Sequence, residues 1–228
     1  MDTHHIAAAL LAGPFRWHDT SDRNPLSRTP EGTPFVEFKI LITEFRGGCR
    51  VETSHGAVAY GPAAIRIATT FTADDFAAVS GELCTAPGYH RPTTLLNVKN
   101  ALRIPGTPIL GAEPTLNVAC VIGPVLDATA ARLRDGTEIT VLTVVCQSPQ
   151  PTQYRNLQTV VLTGTERDLV RTIGTGDTIR ADGPLALHAI GREAVWGLAC
   201  AHLRVLERCR DHVPLVLRSI DRPMQRAG

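Results

Sequence analysis

Four aromatic side chains in the first half of the chain stand close to a cation or an imidazole. Trp17 lies between Arg16 and His18, Phe45 precedes Arg46 and Arg50, Tyr60 follows His55, and Tyr89 precedes His90 and Arg91. A ring offers a flat π-face on which an unpaired base can stack, and a guanidinium or ammonium pairs with the phosphate between bases. Rings interleaved with cations therefore suit a single nucleic-acid strand. Each ring has a blander alternative, which is to plug the end of a small barrel. In the second half the candidates are Arg132, Arg134, Tyr154, Arg155 and Trp196. Arg132 and Arg134 run into Gly136, so their alternative is the solvated edge of a hairpin.

Other chemistries find no support in the sequence. There is no GxxxxGK[ST] phosphate loop and no GxSxG nucleophile turn. GTGD at 174–177 reads as a turn between a helix and a strand. The six cysteines, Cys49, Cys84, Cys120, Cys146, Cys200 and Cys209, form no CxxC pair and no Cys–His zinc spacing. They read as small core residues in a reducing compartment. No metal or cofactor is expected, and no enzymatic activity. The 23 basic and 22 acidic residues leave a net charge of +1, which argues against gripping nucleic acid by bulk charge and leaves room for a local basic groove. Only Lys39 and Lys99 are lysines. No run approaches the roughly 18 apolar residues of a membrane helix. The start, MDTHHIAAALLAGPF, reads as an early strand and not as a secretory signal. A cytoplasmic location is the expectation.

The elements that must position these residues are written twice. EGTPFVEFKIL (31–41) and DGTEITVLTVV (135–145) both pass from acid-Gly-Thr into a strand-like run. Upstream, IAAALLAGPF (6–15) matches LNVACVIGPV (116–125), each ending near Gly-Pro. Downstream, IRIATTFTADDFAAVSG (65–81) matches QTVVLTGTERDLVRTIG (158–174). In both, a strand is expected to end at Thr72 or Thr165, and an acid three residues later, Asp75 or Asp168, is read as a capping box that starts a short helix. NVKNALRI (97–104) matches LACAHLRV (198–205). Alternation points Val36, Phe38, Ile40 and Ile42 inward, with Glu37 and Lys39 outward; Thr140, Leu142, Val144 and Cys146 are the matching inward set. Lys39 thereby joins the candidate contacts. Strand, strand, strand, helix, strand, strand is the plan of an OB-fold barrel. The expectation is an all-β chain with one short helix per unit: tandem OB-folds at 1–105 and 116–209, a Pro/Gly-rich linker at 106–115 and a tail at 210–228.

The second half resembles the bacterial single-stranded DNA-binding protein family. The similar residues are NVACVIGPV (117–125), RLRDGTEITVLTVV (132–145), LQTVVLTG (157–164), DLVRTIGTGDTIRADGPL (168–185) and GLACAHLRVLE (197–207). The first half looks like a diverged second copy. The resemblance implies non-catalytic binding of single-stranded DNA, in replication, recombination or the transfer of a mobile element, by stacking on the outer faces of strands two and three. RNA is a second candidate ligand, and replication or recombination proteins are candidate partners. Leu157 and Thr163 stand where family members carry stacking rings, and the basic C-terminus differs from the acidic partner-recruiting tail found there. The outward set Val141, Thr143 and Val145 is apolar for a wet face; it is read as an interface covered by the other half or by another subunit, against a half-exposed β-branched face. A homo-oligomer follows from the first reading. The alternative function is an OB-fold interaction and oligomerisation unit of the primosome-accessory kind.

Overall fold

The two acid-Gly-Thr triplets make the same turn. Gly32 N–H donates to Thr29 O at 2.8 Å and Thr29 N–H to Thr33 O at 2.9 Å; Gly136 N–H donates to Leu133 O at 3.0 Å and Leu133 N–H to Thr137 O at 2.9 Å. Both glycines sit at positive φ, 85° and 87°, where a side chain is strained. The chain leaves each turn as a strand. The computed structural model describes residues 5–18, 26–46, 49–73, 75–87, 92–104, 115–147, 156–190, 193–211 and 213–219. It divides into two compact units, Ala7–Ala119, and Cys120–Gly228 with Met1–Ile6.

The first unit contains β1 (Ile6–Trp17), β2 (Ser27–Arg28), β3 (Pro34–Arg46), β4 (Cys49–Tyr60), α1 (Gly61–Thr70), β5 (Phe76–Pro87) and β6 (Pro92–Ile104). β1 pairs with β3 at one end (Phe15 opposite Ile40) and with β5 along the rest (Leu11 opposite Val79). β3 and β4 form one hairpin, β5 and β6 another, and β4 meets β6 in parallel at Ala57 and Leu96. That circuit closes a barrel. Its interior holds Leu11, Phe15, Phe38, Ile40, Ile42 and Leu83, all under 2% exposed. The inward set expected from alternation in β3 is correct.

The second unit repeats the circuit. It contains β7 (Leu116–Arg132), β8 (Glu138–Cys146), β9 (Asn156–Leu162), α2 (Gly164–Leu169) with a 3-10 turn at Val170–Thr172, β10 (Gly174–Thr175), β11 (Thr178–Gly183), β12 (Leu185–Ile190), β13 (Glu193–Ala199), β14 (His202–Glu207), β15 (Val213–Pro214) and β16 (Arg218–Ser219). β11 and β12 together take the place of β5, and β13 with β14 that of β6. β13 meets β9 in parallel at Leu198 and Val160. Closed five-stranded barrels with one helix before the fourth strand are OB-folds, and this all-β chain carries two in tandem.

One expected element is corrected. IRIATT in the first half is helix, and FAAVSG after it is strand β5. Pro62 at the first helical turn and the buried pair Ala64 and Ile67 fix α1. The hydrogen bonds read as a capping box do exist: Asp75 Oδ2 accepts from Thr72 N–H at 2.6 Å. They close a turn instead of starting a helix. The counterpart of Asp75 is Asp177, not Asp168. Asp177 Oδ2 accepts from Gly174 N–H at 2.9 Å, and the carbonyls of Asp75 and Asp177 accept from Phe15 and Val125 N–H at 2.7 and 2.9 Å. In the second half the N-cap of α2 is Thr163, two residues before the expected Thr165, and its side chain makes no capping hydrogen bond.

Asp177 is fully buried. It also accepts from Cys209 N–H at 2.8 Å and Arg208 Nη1 at 3.0 Å, and Arg208 donates to Thr172 O. A buried carboxylate is tolerable because it is paired and hydrogen-bonded in this way. The chain beyond Arg208 then returns to the second unit: β15 pairs with β10, and β16 lies beside β7 at Thr129 and Ala130. Among the described residues no helix is long and apolar enough to cross a membrane. No cluster of three or more potential metal ligands occurs among them.

Candidate nucleic-acid interface

Three of the nominated residues come together on the outer face of the first unit. Arg16 on β1 lies directly opposite Lys39 on β3, and both point away from the inward Phe38 and Ile40. On the same face, Phe35 on β3 lies opposite Tyr60 on β4, with ring centroids 6.1 Å apart and planes tilted by 33°. Phe35, Glu37 and Lys39 follow at alternate positions along one strand. Rings at one end and two cations about 13 Å along the strand, with Glu37 between them, make a stripe that can stack bases and hold phosphates of the same strand. Burial, the largest cause, and nearby Cys84 and Glu37 raise the Tyr60 pKa, so the ring stays a neutral phenol. Phe35 was not nominated from sequence, although the alternation that turned Glu37 and Lys39 outward turns Phe35 outward too.

The remaining nominees are distributed differently. Trp17 lies opposite Phe38, so it points inward, and its ring meets Phe15 edge-on at 4.6 Å. It closes the core beside Phe71, whose centroid is 5.3 Å from that of Phe15. Arg50 lies on the outer face at the far end of β4, opposite the backbone position of Phe45, and 3.9 Å from Glu52. The side chains of Phe45 and Arg46, and the whole of Tyr89, Arg91, Tyr154 and Arg155, lie outside the described residues. His55 is not beside Tyr60. Five residues along a strand put the two on opposite sides, and His55 is buried at 4% exposure with Thr53 Oγ1 3.3 Å from its Nε2.

In the second unit Arg132 is exposed and pairs with Glu138 at 3.1 Å, a carboxylate that Arg167 also reaches at 2.5 Å. Those guanidiniums, Arg167 foremost, hold the Glu138 carboxyl below its usual pKa. Arg134 is exposed at the turn. Trp196 is half-buried on β13, on the same side of the strand as the core residue Leu198 and opposite Leu187 of β12. Val141, Thr143 and Val145 are half-buried on the outer face. Val141 belongs to a satellite cluster with Ile139, Val161 and Ile190, closed by Leu133 and Val195. All of these lie in the second unit, Leu133 in the turn after β7 and Ile190 and Val195 on the β12–β13 hairpin.

No protein-family model matches the chain, and no curated protein matches it in sequence. Among solved structures, the wild-type single-stranded DNA binding protein from Thermus aquaticus matches with a TM-score of 0.69 at 14% identity, over 92% of this chain and 98% of that chain. A deletion variant of the same Thermus aquaticus protein matches with a TM-score of 0.68 at 14% identity, again over 92% and 98%. The likeness at that identity is one of fold.

Proposed function

We propose that this protein binds single-stranded DNA without catalysing a reaction, in the replication, recombination or transfer of DNA. The observation that carries the reading is the outer face of the first unit, which carries the Phe35–Tyr60 ring pair and, beyond Glu37, the Arg16–Lys39 pair. The fold shared with a single-stranded DNA binding protein supports it. Titrating oligo-dT against the pure protein at 50 and 200 mM salt tests it. Two phosphate contacts contribute a log–log slope of about −1.4, which is about a sevenfold loss of affinity over that range, and further contacts steepen it. An absence of binding at low salt ends the reading.

The second reading, a protein-docking barrel, draws on the half-buried β-branched face of Val141, Thr143 and Val145. A partner that stays bound after nuclease treatment, with no oligonucleotide affinity in the pure protein, would select it. Self-association belongs to either reading. Its best surface is the outer face of β1, β5 and β6, where Leu10, Leu102 and Ile104 are 40%, 65% and 38% exposed. Apolar side chains grouped in this way mark a contact surface. Leu102→Glu should lower the particle mass in light scattering; an unchanged mass with an intact fold would rule that face out.

A further inference from the structure

Matching the two units by their strand registers, position by position, gives a contrast that neither unit reveals alone. The pair Phe15 opposite Ile40 corresponds to Val125 opposite Val144, each just after its Gly-Pro. The next pair on the outer face is Arg16 opposite Lys39 in the first unit. In the second it is Asp127 opposite Thr143, with a bulge between Val125 and Asp127. Two cations are replaced by an acid and a hydroxyl. The ring pair Phe35 and Tyr60 corresponds to Ile139 and Thr163. Ile139 is 0% exposed, with Leu133, Ile190 and Val195 packed over it, and Thr163 is exposed but carries no ring. Among the described residues a base has no ring to stack on there, and a phosphate would approach a carboxylate.

We propose that the two barrels are unequal: the outer face of the first holds the strand, and the corresponding face of the second is closed to it, giving one strand site per chain. This rests on the single-strand reading above. It also bounds the footprint to that of one barrel, about 4–16 nucleotides.

The full-length protein is titrated with a (dT) oligomer of about eight bases and the oligomers bound per chain are counted. The same is done for Tyr60→Ala, for Lys39→Thr, and for the double variant Arg16→Asp with Lys39→Thr, which gives the first face the second face's pair. Circular dichroism checks that each is folded, and Lys39→Thr alone is the milder change. One oligomer per parent chain is expected. Tyr60→Ala should weaken that site about 5- to 150-fold, at tenfold per 1.4 kcal/mol. The double variant should flatten the salt slope by about 1.4. Two oligomers per chain, or a folded double variant that binds like the parent, overturns the inequality and leaves single-strand binding standing. A parent that binds nothing removes the functional reading itself, and this one with it.

Discussion

Gly13→Ala or Gly123→Ala should strongly destabilise the barrel that carries it. A Cβ built on Gly13 falls 2.0 Å from Leu41 O and 3.3 Å from Ile40 Cγ2; one built on Gly123 falls 2.1 Å from Val145 O and 3.1 Å from Val144 Cγ1. The obstacle is a backbone carbonyl held in a sheet strand, so it cannot swing away as a long side chain would. Each glycine marks where the first strand of its barrel crosses closely over the second, and the closure of the barrel depends on that approach. Overpacking usually costs about 1–3 kcal/mol, and a fixed backbone partner puts this case at the exceptional end, about 4 kcal/mol or more. For a unit of this size the unfolding midpoint should drop on the order of 15 °C. Gly136→Ala is the control. It keeps the strained positive φ but meets nothing within 4 Å, so its cost should be about 1–2 kcal/mol. Calorimetry that finds Gly13→Ala and Gly136→Ala equally mild would refute the close-crossing account.

The first unit should lose stability between pH 6.5 and 4. His55 is buried inside the barrel opposite Ile40. Burial pushes its pKa from 6.5 down to about 4, with Glu44 pulling weakly the other way. Above pH 6.5 the imidazole is neutral in both the folded and the unfolded chain. Below that the unfolded chain takes up a proton that the folded chain refuses, so stability falls with pH until the folded pKa is reached. The difference amounts to about 3 kcal/mol once the window has been crossed. Asp75 has a lowered pKa, so the loss of its contacts begins only below its ordinary value, under most of this window. His55→Leu should flatten the profile of unfolding midpoint against pH from 6.5 to 4. Parallel profiles for parent and variant would show that the imidazole is protonated within the fold.

Much of the architecture was legible because it is written in turns and glycines. Acid-Gly-Thr before a strand and Gly-Pro within one are backbone requirements, and both recur in each half. The helix of the first half was misread for a physical reason. Ile65, Ile67, Thr69 and Thr70 are β-branched, which favours a strand, and the Thr72–Asp75 turn makes the hydrogen bonds of a helix cap. Pro62 was the better signal. The site was partly legible. Arg16, Lys39 and Tyr60 could be named from type alone, but the meeting of Arg16 with Lys39 follows from the pairing of β1 with β3, which no local pattern states. Trp17 and His55 were drawn in by their nearness along the chain, and strand alternation turns both to the inside.

Identical subunits assembled by symmetry must display identical surfaces, so a change that improves one copy is imposed on all of them. A polypeptide that strings two such barrels together is released from that rule. Its crossings and turns have to agree, since closure depends on them, while everything pointing outward can drift independently. Specialisation of one half for a ligand and of the other for self-sealing is a freedom that tandem linkage confers.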